Sequence, residues 1–189
     1  MLIRALELEN VKSYARQTIS FAPGINAICG PNGAGKSTLL EAIGFVLFDH
    51  PPCRPIGNWV REGERQATVA VSVQAADDRQ YQIVRRCGTQ SLYYVYDPEI
   101  RHKLAAGADE VIHWLHEQFG VEDTVDLAAL FHDAVGVPQG LLTAPFLQQP
   151  TARRATFDPL LQVEDYRRAF EALRKPAELL SAHLAAGER

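Results

Sequence analysis

Within residues 2–9, Leu6 and Leu8 face one way and Glu7 and Glu9 the other, an alternation that predicts a half-buried strand. Residues 10–14 read as a polar connection and residues 18–21 as a second short strand, before turn chemistry at Ala22-Pro23-Gly24. The apolar run Ile25-Asn26-Ala27-Ile28-Cys29 is bounded by turn signals and predicts a strand buried on both faces. From Lys36 to about Phe48 the period changes. Leu39, Leu40, Ile43, Val46 and Leu47 fall at helical spacing, and Asp49-His50-Pro51-Pro52 stops the helix.

Period two returns in the middle of the chain. Residues 68–74 alternate with Val69, Val71 and Val73 inward, residues 75–78 turn, residues 80–86 return, and residues 92–96 are aromatic-rich strand material. Residues 109–119 carry a stripe of Val111, Ile112, Leu115 and Phe119 closed by Gly120, and a further short helix is expected over residues 125–131. In the tail, Val163, Tyr166, Phe170, Leu173, Ala177, Leu180 and Leu184 alternate three and four apart, the spacing of a coiled-coil seam. The same spacing fits an amphipathic helix packed on its own domain, and Pro176 should kink or end the run.

Composition narrows the class. A length of 189 residues allows one compact domain with an appendage, and 47% hydrophobic with 22% charged residues excludes a disordered chain. The richest apolar stretch, residues 39–48, is broken by Glu41 and is far shorter than the roughly 20 residues that span a bilayer, so no membrane is expected as a partner. The N-terminus, with Arg4, Glu7 and Glu9, does not read as a signal peptide. Cys29, Cys53 and Cys87 are odd in number and far apart, giving neither a disulfide framework nor a zinc pair, so the expected compartment is cytoplasmic. A net charge of −4 counts against a dedicated nucleic-acid-coating domain but not against a local basic face.

One motif carries chemistry. Gly30-Pro31-Asn32-Gly33-Ala34-Gly35-Lys36-Ser37 matches G-x-x-x-x-G-K-[ST], the phosphate-binding P-loop. Glycines let successive backbone N–H groups converge on phosphate oxygens, Lys36 is a point charge for the β- and γ-phosphates, and Ser37 offers a hydroxyl to Mg²⁺. The helix that opens there aims its positive dipole end at the same anion. The other candidates read as ordinary structure. His113 and His116 lie one turn apart without a third ligand nearby in sequence, Tyr93, Tyr94 and Tyr96 fit sheet packing, and Arg153-Arg154 fit a solvated helix start.

Residues 6–14, with Asn10-Val11-Lys12-Ser13-Tyr14, and residues 21–43 around the P-loop resemble the N-terminal ATPase lobe of SMC-like proteins. They are most similar to the SbcC type, the ATPase of a double-strand-break-repair nuclease complex. The resemblance continues at Val60-Arg61-Glu62-Gly63, at Val137-Pro138-Gln139-Gly140, which is similar to the family's Q-loop, and from Phe146 through Arg153-Arg154 to Tyr166. It implies an α/β fold, the N-terminal lobe of an ABC-ATPase-like P-loop NTPase. This would combine a mixed sheet around the P-loop helix with an antiparallel β region and end in the start of a coiled-coil helix. Residues 1–160 would be the N-terminal half of the head and residues 161–189 the coiled-coil root.

The resemblance also implies roles. Asn32, Gly33, Ala34, Gly35, Lys36, Ser37 and Thr38 would bind ATP, with Lys12, Ser13, Val60, Arg61 and Glu62 bordering the nucleotide. Gln139 would join Ser37 on Mg²⁺, and Lys36 and Gln139 would serve the reaction. The family often has arginine where Lys12 stands, so Lys12 keeps the charge without the planar fork. Implied partners are the C-terminal lobe of the same ATPase, a second ATPase head joined through ATP, a nuclease subunit and DNA, with a nucleoid location in a bacterium. The one Asp-Glu pair, Asp109-Glu110, opens a helix instead of ending an apolar strand, and no Ser-Gly-Gly signature occurs. The chain is therefore expected to be half of a nucleotide-binding domain, inactive in hydrolysis alone. The rival reading is the ATPase lobe of a RecF- or RecN-like or another ABC-type protein with a different partner.

Overall fold

A computed structural model of the chain describes residues 1–136, 144–147, 149–161 and 163–187. They belong to two units, Met1–Leu142 and Thr143–Arg189. The first is built on six strands: β1 (Leu2–Val11), β2 (Tyr14–Ser20), β3 (Gln66–Gln74), β4 (Gln80–Gly88), β5 (Leu92–Asp97) and β6 (His102–Ala106). Their order in the sheet is β2-β1-β3-β4-β5-β6, and each neighbouring pair is antiparallel.

Alternation sets which face is covered. Register places Leu6 beside Val71, Leu8 beside Val69, Val71 beside Ile83 and Ile83 beside Val95, so one face carries a continuous apolar band. All of these residues are buried. The other face carries Glu7, Thr68, Gln82 and Arg86, joined across strands by Gln82 Nε2 donating to Glu7 (3.2 Å) and Arg86 Nε donating to Thr68 (3.2 Å). Helix α1 (Lys36–Leu47) lies on the apolar face against β1, β3 and β4, with Leu39, Ala42, Val46 and Leu47 buried. Helix α2 (Ala108–Phe119) covers β5 and β6 and ends at Gly120 in the left-handed region, φ 67°. Helix α3 (Leu127–Leu130) continues into one π turn, Phe131–Val135.

An arginine on the apolar face anchors the end of α1. Arg85 Nη1 donates to Phe45 O at 2.7 Å, and Nη2 pairs with Asp49 at 2.5 Å. Its guanidinium lies 4.3 Å from the Phe45 ring centre and 4.5 Å from that of Tyr93. The Tyr93 hydroxyl donates to Val46 O, and burial pushes its phenol far above the ordinary range. A cation at the negative end of the helix dipole, stacked on two rings and bonded to an orphan carbonyl, stabilises that end three ways. Arg85→Ala is expected to lower unfolding stability by about 2–3 kcal/mol, the loss of a charged hydrogen bond and its stacking. Urea denaturation measures it, and a change below about 0.5 kcal/mol would contradict this assignment.

Several expectations are corrected. Residues 25–29 form no strand among the described residues. Ile25 is fully exposed, Ile28 is 45% exposed, and Cys29 is also exposed. Burial on both faces requires neighbours to pair with and layers to cover it, and the six described strands pair among themselves. Strand β6 escapes pattern reading because His102-Lys103-Leu104-Ala105-Ala106 buries only Ala105. The second strand begins at Tyr14, four residues earlier than its pattern shows, because β2 is an edge strand with little burial to leave a signature.

In the second unit, α4 (Ala144–Leu147) and α5 (Pro150–Leu161) precede α6 (Val163–Gly187). Phe146 and Phe157 have ring centres 5.4 Å apart, and Arg167 pairs with Asp158 at 2.8 Å. Pro176 lies inside α6 without ending it. Residues 165–184 are exposed, so the carbonyl that proline leaves unpaired is open to water. The seam residues Tyr166, Phe170, Leu173, Leu180 and Leu184 are exposed within this unit.

Candidate phosphate-binding site

The loop before α1 is held by short-range contacts that its sequence makes possible. Asn26 closes the preceding turn, its Oδ1 accepting from Ala22 N (3.0 Å) while Nδ2 donates to Ala22 O (2.8 Å) and Gly24 O (3.1 Å). Gly33 and Gly35 take φ of 80° and 89°, a region that side-chain-bearing residues rarely adopt. Gly35 is also the N-cap of α1, and a Cβ there would lie 2.7 Å from the Tyr14 ring. Glycine is thus required at position 35 twice, by conformation and by space. Among the described residues no side chain caps α1 and no acidic residue stands in its first turn, so no side chain occupies or neutralises the positive end of its dipole.

Lys36 turns back over the loop, its Nζ donating to Gly30 O at 2.8 Å and Pro31 O at 2.7 Å. Asn32, Gly33, Ala34 and Ser37 are exposed, whereas Thr38 is buried at the base of the helix. The Ser37 hydroxyl, in the first turn and open to solvent, is a hard oxygen donor of the type Mg²⁺ takes.

The residues singled out at a distance in sequence come together beside the loop. Val11 bridges Val60, Lys12 N donates to Trp59 O at 3.0 Å, and Arg61 N donates to Asn10 O at 2.8 Å. The Arg61 side chain donates to Ser13 O at 2.7 Å, which ties it to the β1–β2 turn. That turn reaches the P-loop through Tyr14, whose hydroxyl donates to Ala34 O at 3.3 Å. Glu62 is exposed on the same connection. Gln139 lies outside the described residues. Tyr14 and Glu41 make contacts here that the sequence alone does not single out. Both stand within the resembling stretches, but only their contacts across 20 and 29 residues reveal what they hold.

Both histidines of the α2 pair have partners within the fold. Buried His116 has one ring nitrogen 2.8 Å from Ile112 O and the other 2.8 Å from Val125 O, while His113 faces Asp123 at 3.0 Å. No group of three metal-ligating side chains occurs among the described residues. Burial pushes the Cys87 thiol up, away from nucleophilic use. Among the described residues no helix is long and apolar enough to cross a membrane.

A glycine-rich loop, its lysine and an uncapped helix start make a candidate P-loop phosphate site on an α/β scaffold. Family comparison agrees: residues 5–186 match the AAA domain family, and the chain belongs to it. It is 31% identical over 189 residues to a DNA double-strand break repair Rad50 ATPase of Methanopyrus kandleri, covering 97% of this chain and 21% of that one. It is 27% identical over 188 residues to the protein so named in Thermoplasma volcanium, covering 97% of this chain and 20% of that one. The chain thus spans about a fifth of the length of these curated relatives. Among solved structures, the recombination mediator RecF with ATP matches at TM-score 0.47 and 24% identity, over 55% of this chain and 27% of that chain.

Proposed function

We propose that this chain is the N-terminal, ATP-binding lobe of an SMC-like ATPase that acts in DNA double-strand-break repair. ATP joins two heads, and hydrolysis releases them. The observation that carries the reading is the loop of residues 30–37, whose glycines, lysine and uncapped helix start converge as a phosphate cradle. The likeness to Rad50 ATPases across 97% of the chain supports the setting. Asn32 to Thr38 hold the triphosphate, Lys12, Ser13, Val60, Arg61 and Glu62 border the nucleotide, and Ser37 with Gln139 hold Mg²⁺. When bound, that ion neutralises charge on the transferring phosphoryl group.

A partner lobe fits two surfaces of the first unit. Residues 25–29 have strand-like apolar character but are exposed, and beside them an open cavity of about 320 Å³ is lined by Leu2, Ile3, Phe21 and Ile43 together with the polar Arg4 and Asn26. A strand-bearing C-terminal lobe would pair with the former and cover the latter. Residues 1–160 are then half of a head, and residues 161–189 are the root of a coiled coil whose other helix covers the α6 seam. The remaining partners are a second head, a nuclease subunit and DNA, in the cytoplasm. Each head then presents its P-loop to the signature of the other, and Gln139 reports the γ-phosphate. Gln139→Ala should leave affinity for a non-hydrolysable ATP analogue within about threefold while abolishing analogue-dependent association of the intact protein. Light scattering reads the mass, and normal association of the variant would remove Gln139 from this role.

A further inference from the structure

A second cation, Lys12, stands on the turn that reaches the P-loop through the Tyr14 hydroxyl and Ala34 O. Lys12 follows Val11, which pairs with Tyr14, so Lys12 and Ser13 form a two-residue hairpin loop. Lys12 has φ 45°, in the left-handed region where hairpin loops favour glycine or asparagine. A lysine kept in that conformation points to a use for its side chain, the inference that backbone outliers license.

Its side chain is paired although partly open to solvent. Lys12 Nζ lies 2.7 Å from Glu41 Oε2, and the same oxygen faces the indole Nε1 of fully buried Trp59 at 3.4 Å. Lys12 N donates to Trp59 O at 3.0 Å, so backbone and side chain close a ring through Trp59 and Glu41. The Arg61 guanidinium holds the next carbonyl, Ser13 O, at 2.7 Å. Glu41 stands one turn after Ser37 on α1, and residues four apart on a helix share a face. The ring therefore ties the hairpin loop to the face of the P-loop helix that carries the Ser37 hydroxyl. Stability does not account for the pair, because its side chains are 37% and 32% exposed and ion pairs that open contribute little to folding.

We propose that Glu41 is a positioning residue for the nucleotide site. It holds Lys12 so that the β1–β2 turn presents a second cation to the phosphate chain beside Lys36. This rests on the ATP-binding reading above and adds a residue to it. Glu41 touches no phosphate in this account and acts through Lys12 alone, so the two residues should behave as one unit when removed together.

The test is a double-mutant cycle on the intact protein, titrated calorimetrically with adenylyl imidodiphosphate and Mg²⁺. Lys12→Met is expected to weaken binding about tenfold, the removal of one charged contact. Glu41→Gln keeps an acceptor for Trp59 but loses the charge that orients Lys12, with an expected loss of about three- to tenfold. The double variant should bind no more weakly than Lys12→Met. Multiplicative losses in the double variant, or unchanged affinity in Glu41→Gln, would overturn the proposal. Should Glu41→Gln fail to fold, Glu41→Asp, which retains the charge one methylene short, repeats the cycle. Its loss must likewise vanish in the Lys12→Met background, and persistence there would overturn the proposal. Lys36→Ala run alongside separates the two levels. If it binds the analogue as the unaltered protein does, the nucleotide site itself falls and this inference with it. If it abolishes binding while the Glu41 variants stay unchanged, this inference alone falls.

Discussion

Replacing Lys36 by alanine should weaken ATP binding by the intact protein at least a hundredfold while leaving its fold intact. The ammonium is the charge in the loop itself, held by Gly30 O and Pro31 O at 2.8 and 2.7 Å. Charged hydrogen bonds to phosphate contribute about 1.5–3 kcal/mol each, and losing about 3 kcal/mol corresponds to more than two decades of affinity. The two carbonyls belong to exposed loop residues, so water replaces the ammonium at little cost. Helix α1 keeps its anchor at the far end, where Arg85 and Tyr93 bind Phe45 O and Val46 O. Calorimetry reads the binding and thermal unfolding reads the fold. Lys36→Arg should recover only part of the affinity, because a planar fork does not reproduce a compact point charge. Affinity like that of the unaltered protein in Lys36→Ala would take the P-loop out of the account.

What the sequence made legible was local. The alternation of Val69, Val71 and Val73 reads as a strand because one sheet face is covered by α1, and the structure buries all three. The P-loop reads from eight consecutive residues because its chemistry is backbone chemistry, fixed by where glycines stand. Residues 25–29 show the limit of that reading. Their apolar pattern reports what the segment can pack against, whereas burial depends on neighbours that must also be present. Arg85 shows a second limit, since an arginine at an inward position reads as a break in alternation until Phe45, Tyr93 and Asp49 are seen around it.

The site divides in the same way. Val60 and Arg61 enter the sequence reading through resemblance, and the structure brings them to the β1–β2 turn through contacts of Arg61 with Asn10 and Ser13. Tyr14 and Glu41 carry no motif of their own. Their meaning lies in pairings with Ala34 and Lys12, and single-sequence patterns do not encode which distant residues meet.

In the proposed reading this chain supplies one half of a composite ATPase site. Phosphoryl transfer needs a positioned water, a base or orienting residue and charge stabilisation, in addition to a phosphate cradle. In the reading proposed above, Lys36, Ser37, Gln139 and the loop backbone would cover the cradle. Asp109 and Glu110 do not supply a water-positioning acid pair. Both sit in the first turn of α2, and Glu110 is engaged with Ala106 N at 2.9 Å. Lack of the water-positioning carboxylate alone should slow turnover on the order of 10²–10⁴-fold. The most direct measurement is steady-state ATP turnover by residues 1–189, alone and with the C-terminal lobe of the same ATPase added in trans. Turnover near background is expected for the first sample. Activity in the second should rise with the concentration of each piece and disappear with Lys36→Ala. Robust hydrolysis by residues 1–189 alone, abolished by Lys36→Ala and so not a contaminant's, would show that the catalytic set is complete within this chain and that no second lobe is needed.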